Sequence, residues 1–100
     1  MKPITLKTRI KNFPWGRVIQ VHRFNDFAII EYIDSRLEDN TSAYQPYLIN
    51  DNEEIRDLGW SFRNLDEAVL NAIAFKYDGL NSQAGRLMTK AIGIYDKEDA

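Results

Sequence analysis

The chain has 100 residues and no cysteine, and its 13 basic and 15 acidic side chains give a formal net charge of −2. With 44% apolar and 12% aromatic residues, this composition predicts one domain over residues 1–100 that builds its own hydrophobic core. It excludes a disulfide-stapled mini-protein, a cysteine zinc site and a thiol catalyst. No apolar run is long enough for a membrane span, and residues 1–7 lack the apolar stretch of a signal peptide, so we expect a cytoplasmic protein without membrane contact.

The first predicted strand covers residues 4–10. Ile4, Leu6 and Ile10 fall on one face of a period-2 pattern, while basic side chains fall on the other. A loop that contains a proline and a glycine, residues 12–16, ends this strand.

Residues 17–23 and 27–33 are β-branched runs on either side of a short turn, which predicts an antiparallel hairpin. A polar loop over residues 34–43 follows. Residues 44–49 favour a further strand, and Pro46 indicates that its first half is either at the sheet edge or an irregular start.

A second polar turn is expected at residues 50–54. A last short strand is expected within residues 57–62, with Trp60 and Phe62 on one face.

The hydrophobic period changes in the second half of the chain. Asn64 and Glu67 form a capping-box pattern ahead of apolar residues at helical spacing, which predicts a helix that ends near Gly79. Apolar residues off its main stripe, Leu70 and Tyr77 among them, indicate either a helix sandwiched between the sheet and a second helix or a helix that lies partly in an interface.

The second predicted helix begins at Asn81 or Ser82 and ends at Gly93. Gly85 inside this helix predicts a close approach of the first helix. Its expected apolar stripe consists of Ala84, Leu87, Met88, Ala91 and Ile92. Strands followed by helices predict an α+β fold: an antiparallel sheet of three to five strands, then two C-terminal helices packed on one face.

The sequence offers little material for catalysis. His22 is the one histidine, and nucleophile-elbow, phosphate-loop and calcium-loop motifs are missing from the sequence. We therefore predict a protein that is not an enzyme and holds no cofactor and no metal.

Charge is the main functional signal, because it is unevenly distributed. Residues 1–24 carry six basic side chains and no acidic one, whereas residues 25–67 carry eleven acidic and three basic ones. This polarity indicates either a surface for a charged partner or two segments that neutralise each other across neighbouring strands.

The leading hypothesis is a protein partner bound by an acidic surface. Its candidate residues are Asp34, Glu38, Asp39, Asp51, Glu53, Glu54 and Asp57. The alternative is nucleic acid bound by the basic, aromatic N-terminal segment. Its candidate residues are Lys7, Arg9, Lys11, Trp15, Arg17 and Arg23. A homodimer is a further possibility, because edge strands and the wide first helix can pair.

The small size, the acidity and the missing catalytic motifs together resemble the single-domain accessory proteins of phages and other mobile elements, including anti-CRISPR proteins and other inhibitors of host factors. This resemblance implies a binding protein that inhibits by occupying its partner. It rests on no motif, so it assigns no role to any residue.

Overall fold

A computed structural model of the chain describes residues 3–35, 41–79 and 82–93. In chain order its elements are α1 (Leu6–Lys11), β1 (Gly16–Arg23), β2 (Phe27–Asp34), β3 (Ser42–Ile49), β4 (Ile55–Asp57), α2 (Leu65–Asp78) and α3 (Gln83–Ile92). The strands form one antiparallel sheet in the order β1-β2-β3-β4. The predicted α+β arrangement, a sheet followed by two C-terminal helices, is confirmed. No helix in the described ranges has the length and apolar character needed to cross a bilayer.

The predicted strand over residues 4–10 is wrong, because most of it forms α1. Leu6 and Ile10 are four residues apart, a spacing that also places two side chains on one face of a helix. The Thr5 side chain caps this helix by accepting a hydrogen bond of 3.2 Å from the Thr8 amide. A period-2 pattern over so short a segment therefore does not distinguish a strand from a helix.

The predicted hairpin is confirmed. β1 and β2 pair from Gly16 opposite Asp34 to Arg23 opposite Ala28, with a bulge near Val18. β2 lies between β1 and β3, and its residues 27–30 are buried on both faces of the sheet.

Of the two positions predicted from Pro46, the sheet edge does not apply to the whole strand, because β3 lies between β2 and β4. The irregular first half does apply, because β4 pairs only with residues 47–49. The Pro46 carbonyl accepts a hydrogen bond from the Leu58 amide at 3.3 Å, so its missing amide also faces the β4 side. On that side β4 ends at Asp57, and pairing returns only at the bridge between Phe62 and Tyr44. The proline is accommodated at this gap. The last strand consequently covers Ile55–Asp57 rather than a stretch within residues 57–62.

Both faces of the sheet are covered. The first face, beneath α1 and the loop that follows it, holds one core cluster: Leu6, Ala28, Ile30, Tyr32, Ala43, Tyr47 and Ile49. The second face, beneath α2, holds another: Phe27, Ile29, Leu58, Phe62, Ala68, Ala72 and Phe75. Phe13 and Trp15 pack against the first cluster, and Trp60 packs against the second.

The capping residues predicted for the two C-terminal helices are confirmed at Asn64, Gly79 and Ser82. Asn64 caps α2 by accepting a hydrogen bond of 2.9 Å from the Glu67 amide, and Gly79 follows its last residue at φ +73°. Ser82 caps α3 in the same way through the Gly85 amide. Asn81, the other predicted cap, lies outside the described residues.

The predicted role of the α3 apolar stripe is wrong in part. The buried residues of α3 are Gly85 and Thr89, whereas Leu87 is 68% exposed. A Cβ on Gly85 would lie 2.9 Å from the Phe75 ring, so the expected close approach of α2 is confirmed. α3 packs on α2 through the face that carries Gly85 and Thr89, because small side chains allow the two helices to lie this close together.

Candidate functional site

The acidic residues predicted as one surface occupy different environments. Asp34, the last residue of β2, is 1% exposed and is not available to a partner. Asp57, at the end of β4, accepts hydrogen bonds from the Gln45 side chain and, at 2.7 Å, from the Gly59 amide. Glu38 and Asp39 lie outside the described residues. Among the described members of the set, the exposed ones are Asp51 and Glu53, which lie in residues 50–54. We call residues 50–54 the acidic turn.

Hydrogen bonds organise the acidic turn. The Asn50 side chain accepts from the amides of Asn52 and Glu54 at 2.9 and 3.0 Å and donates to the Glu54 carboxylate at 2.8 Å. Glu53 adopts a left-handed backbone at φ +62°, and its amide donates to the Asn50 carbonyl. Such closure fixes the directions in which the side chains of Asp51 and Glu53 leave the turn.

Part of the acidic turn is neutralised by the basic first quarter of the chain. Arg23 donates two hydrogen bonds to the Glu53 carboxylate, at 3.1 and 2.9 Å. The Leu6 amide donates to the Glu53 carbonyl at 3.0 Å, which ties the turn to the start of α1. Asp51 is exposed and forms no ion pair with the residues that the structure describes. The alternative of neutralisation between segments thus applies to Glu53 and not to Asp51.

A second ion pair lies at the same end of the sheet, in the turn between β1 and β2. Lys76 of α2 donates to Asp26 with a nitrogen–oxygen distance of 2.6 Å. This hydrogen bond raises the pKa of Lys76 above its ordinary value. The pair links α2 to the turn of the hairpin.

The predicted basic surface is divided in the structure. The guanidinium of Arg9 lies over the Trp15 ring, 5.1 Å from its centroid, and Arg23 is occupied by Glu53. Lys7 and Lys11 are exposed on α1, above the first face.

Arg17, the remaining member of the basic set, is exposed and pairs in register with Ile33. Ile33 alternates with Tyr32 along β2, so this position belongs to the second face. The six residues of the basic set therefore do not share one surface.

A buried polar chain on the first face was not predicted from the sequence. Tyr32 donates to Ser61, Ser61 donates to the Gln45 carbonyl oxygen at 2.6 Å, and Gln45 donates to Asp57. The signal was present in β3, where Gln45 occupies the same alternating positions as the buried Ala43 and Tyr47. All but Asp57 are fully buried, so the chain stabilises the fold and offers no exposed site.

The histidine is engaged in the sheet. Nε2 of His22 lies 2.9 Å from the Glu31 carboxylate, and its ring lies near Tyr44. The described residues contain no group of three or more histidine and acidic side chains that could hold a metal ion. Burial, aided by the Glu31 carboxylate, raises the pKa of Tyr44.

The helices expose large apolar side chains. Leu70 and Tyr77 of α2 are 55% and 78% exposed, and Leu87 of α3 is more than half exposed. The sequence had left open whether the wide apolar band of α2 is sandwiched or lies in an interface. Phe75 belongs to the sandwiched part, and Leu70 and Tyr77 do not.

No protein-family model, no curated protein and no solved structure matches this chain. The functional assignment therefore rests on the geometry of the chain's own residues.

Proposed function

We propose that this chain is a small, non-enzymatic binding protein that acts by occupying a basic surface of a protein partner through the acidic turn. Occupation of that kind inhibits the partner, as in the phage accessory proteins that the sequence resembles. The observation that carries the proposal is the hydrogen-bonded order of the acidic turn, which holds the exposed Asp51 and the Arg23-paired Glu53 at one end of the sheet.

The order of the turn favours binding. A loop already held in one conformation loses little conformational entropy when a partner docks, so more of the interaction energy appears as affinity. Carboxylates on such a loop also steer a basic partner during diffusion and raise the association rate. Arg23 neutralises one of these charges and fixes its position.

Nucleic acid remains the alternative outcome. The basic residues are divided between two faces of the sheet, and this argues against nucleic-acid binding, because a phosphate-binding surface needs neighbouring cations. Lys7 and Lys11, which are four residues apart on α1, are the exposed pair that this alternative would use.

Affinity capture from a host lysate, with and without nuclease, tests the proposal. A protein retained after nuclease treatment is then purified, and its association rate is measured with wild type and with Asp51→Lys. We expect the variant to associate several-fold more slowly at about 50 mM salt and the difference to shrink at about 300 mM, since screening weakens exposed charges.

Lys11→Asn is the matched control, because it also changes an exposed charge but lies on α1. An equal association rate for Asp51→Lys and wild type at low salt would contradict the acidic-turn proposal. Capture that disappears with nuclease and with Lys7→Asn/Lys11→Asn would establish the alternative instead.

A further inference from the structure

The exposed apolar residues of the helices are aligned. Leu70, Ala74 and Tyr77 follow one another at helical spacing on α2, away from Ala68 and Ala72, which face the sheet. On α3 the corresponding stripe lies away from the buried Gly85 and Thr89. It consists of Ala84, Leu87 and Ala91. We call the two stripes together the outer helical face.

The relative direction of the two helices is fixed by side-chain contacts. Asn71 donates to the Gly85 carbonyl at 3.1 Å and to the Thr89 hydroxyl at 2.8 Å, and Phe75 packs on Gly85. Asp78 accepts from Ser82 at the connection. Residues near the end of α2 therefore contact the start of α3, and residues nearer the start of α2 contact the end of α3. The two helices are antiparallel.

Charges at the ends of the stripes are opposite. Asp66 lies four residues before Leu70 on the α2 stripe, and Lys90 lies three residues after Leu87 beside the α3 stripe. Neither charge forms an ion pair with any described residue. Because the helices are antiparallel, the N-terminal end of α2 and the C-terminal end of α3 lie at the same end of the pair.

The apolar stripes and the two end charges of the outer helical face can pair with the same features on a second copy of the chain. A two-fold axis parallel to the helices lays α2 of one copy antiparallel over α3 of the other. Leu70 then lies opposite Leu87, and Asp66 lies opposite Lys90, twice in each dimer. Direct stacking of α3 on α3 would bring the two lysines to the same side and lacks this complementarity.

We propose that the outer helical face binds a second copy of this chain, which makes the protein a two-fold dimer with a four-helix interface. The proposal concerns a surface other than the acidic turn and goes beyond the proposed function. The dimer displays two acidic turns.

The sheet offers a less suitable place for a second copy. β1 is an edge strand, but the bulge near Val18 and the exposed charge of Arg17 oppose strand pairing between copies.

The size of the face sets the expected affinity. α2 has 14 residues, so the face is about 20 Å long and, across two helices, about 20 Å wide. A footprint on the order of 400 Å² per copy, about 800 Å² in total, is smaller than that of stable interfaces, so we expect a weak and reversible dimer with a dissociation constant no tighter than micromolar.

Sedimentation equilibrium of the full chain from about 1 to 300 μM tests the dimer. We expect a reversible shift from monomer to dimer, and we expect Leu87→Asp to remain monomeric, because its charge would be buried in the interface. Circular dichroism and the Tm monitor folding, which the exposure of Leu87 should protect. A wild type that stays monomeric at 300 μM, or a Leu87→Asp variant that dimerises like wild type, would overturn the proposal.

A charge exchange tests the orientation. Asp66→Lys alone and Lys90→Glu alone should each weaken the dimer about tenfold through two repulsive contacts, and the double variant should recover most of this loss. Lys11→Glu is the control and should leave dimerisation unchanged. Failure of the double variant to recover would overturn the two-fold arrangement. Partner binding through the acidic turn is measured separately with Asp51→Lys, so either proposal can fail alone.

Discussion

The two faces of the sheet are closed in different ways. The second face lies beneath α2, a helix of 14 residues, and its core contains apolar side chains such as Phe27, Phe62 and Phe75. The first face lies beneath α1, which has six residues, and an aromatic loop in which Phe13 stacks edge-on with Trp15. Its core also encloses the polar chain from Tyr32 to Asp57.

This difference separates two contributions to the fold. Burial of apolar area on the second face has little directional preference, so it stabilises the sheet–helix pair without requiring one geometry. The hydrogen bonds on the first face are directional, and they hold Ser61, which lies outside the strands, against β3. We therefore expect the second face to dominate stability and the first face to position residues 58–61.

The largest effect is expected on the second face. Phe75 is 7% exposed and packs between the sheet and α3, so Phe75→Ala should lower the free energy of unfolding by about 3 kcal/mol through lost contacts and a cavity. Urea denaturation at about 1 μM protein measures it. Tyr77→Ala on the same helix removes an exposed ring and should change stability by less than about 0.5 kcal/mol. Equal losses for the two variants would remove the distinction between the buried and outer sides of α2.

A smaller effect is expected in the polar chain. Ser61→Ala removes the hydrogen bond that Ser61 accepts from Tyr32 and the one that it donates to the buried Gln45 oxygen, and should cost about 2 kcal/mol. Hydrogen exchange should show the loss of protection concentrated around residues 58–62.

The matched control for this variant is Ser35→Ala, an exposed serine whose replacement should have no measurable effect on stability. If Ser61→Ala proved as stable as wild type, the polar chain would not contribute to the fold and the two faces would be equivalent in kind.

The sequence predicted the second face better than the first. Capping by Asn64, the stop at Gly79 and the periodicity of α2 are local signals, and all three are confirmed. Residues 4–10 carry three apolar positions that satisfy period 2, and two of them, Leu6 and Ile10, also satisfy the helical spacing. Their state is decided by Thr5 capping and by the cluster that Leu6 joins, which is a contact distant in sequence.

Long-range pairing limited the prediction of the candidate site as well. The sequence identified the acidic turn and the apolar character of α3. It could not show that Arg23 reaches Glu53 thirty residues away, or that Asp34 is buried. Whether the apolar stripe of α3 is buried depends on which face of α3 packs on α2. The close contact between Gly85 and Phe75 places the small residues of α3 against α2 and leaves the larger apolar side chains exposed.

The smallest effect at neutral pH is expected at Tyr47, on the first face. Its hydroxyl is buried and has no hydrogen-bond partner among the described residues, so Tyr47→Phe should change stability at pH 7 by less than about 0.5 kcal/mol. Burial raises the pKa of Tyr47 far above its ordinary value of 10.0; the Asp57 carboxylate adds to the rise and Arg9 opposes it. Above pH 10 the unfolded chain therefore loses a proton that the folded chain keeps, and stability falls as the pH rises.

Tyr47→Phe removes this titration, so the variant should lose less stability than wild type between pH 7 and about pH 11, as measured by denaturation at both values. Tyr44→Phe is the informative comparison, because burial and the Glu31 carboxylate raise the pKa of Tyr44 as well, so that this variant should also lose part of the alkaline decrease in stability. An alkaline loss of stability in Tyr47→Phe as large as that of wild type would show that the Tyr47 hydroxyl is not held in the apolar interior. The first face would then resemble a hydrated surface more than a core.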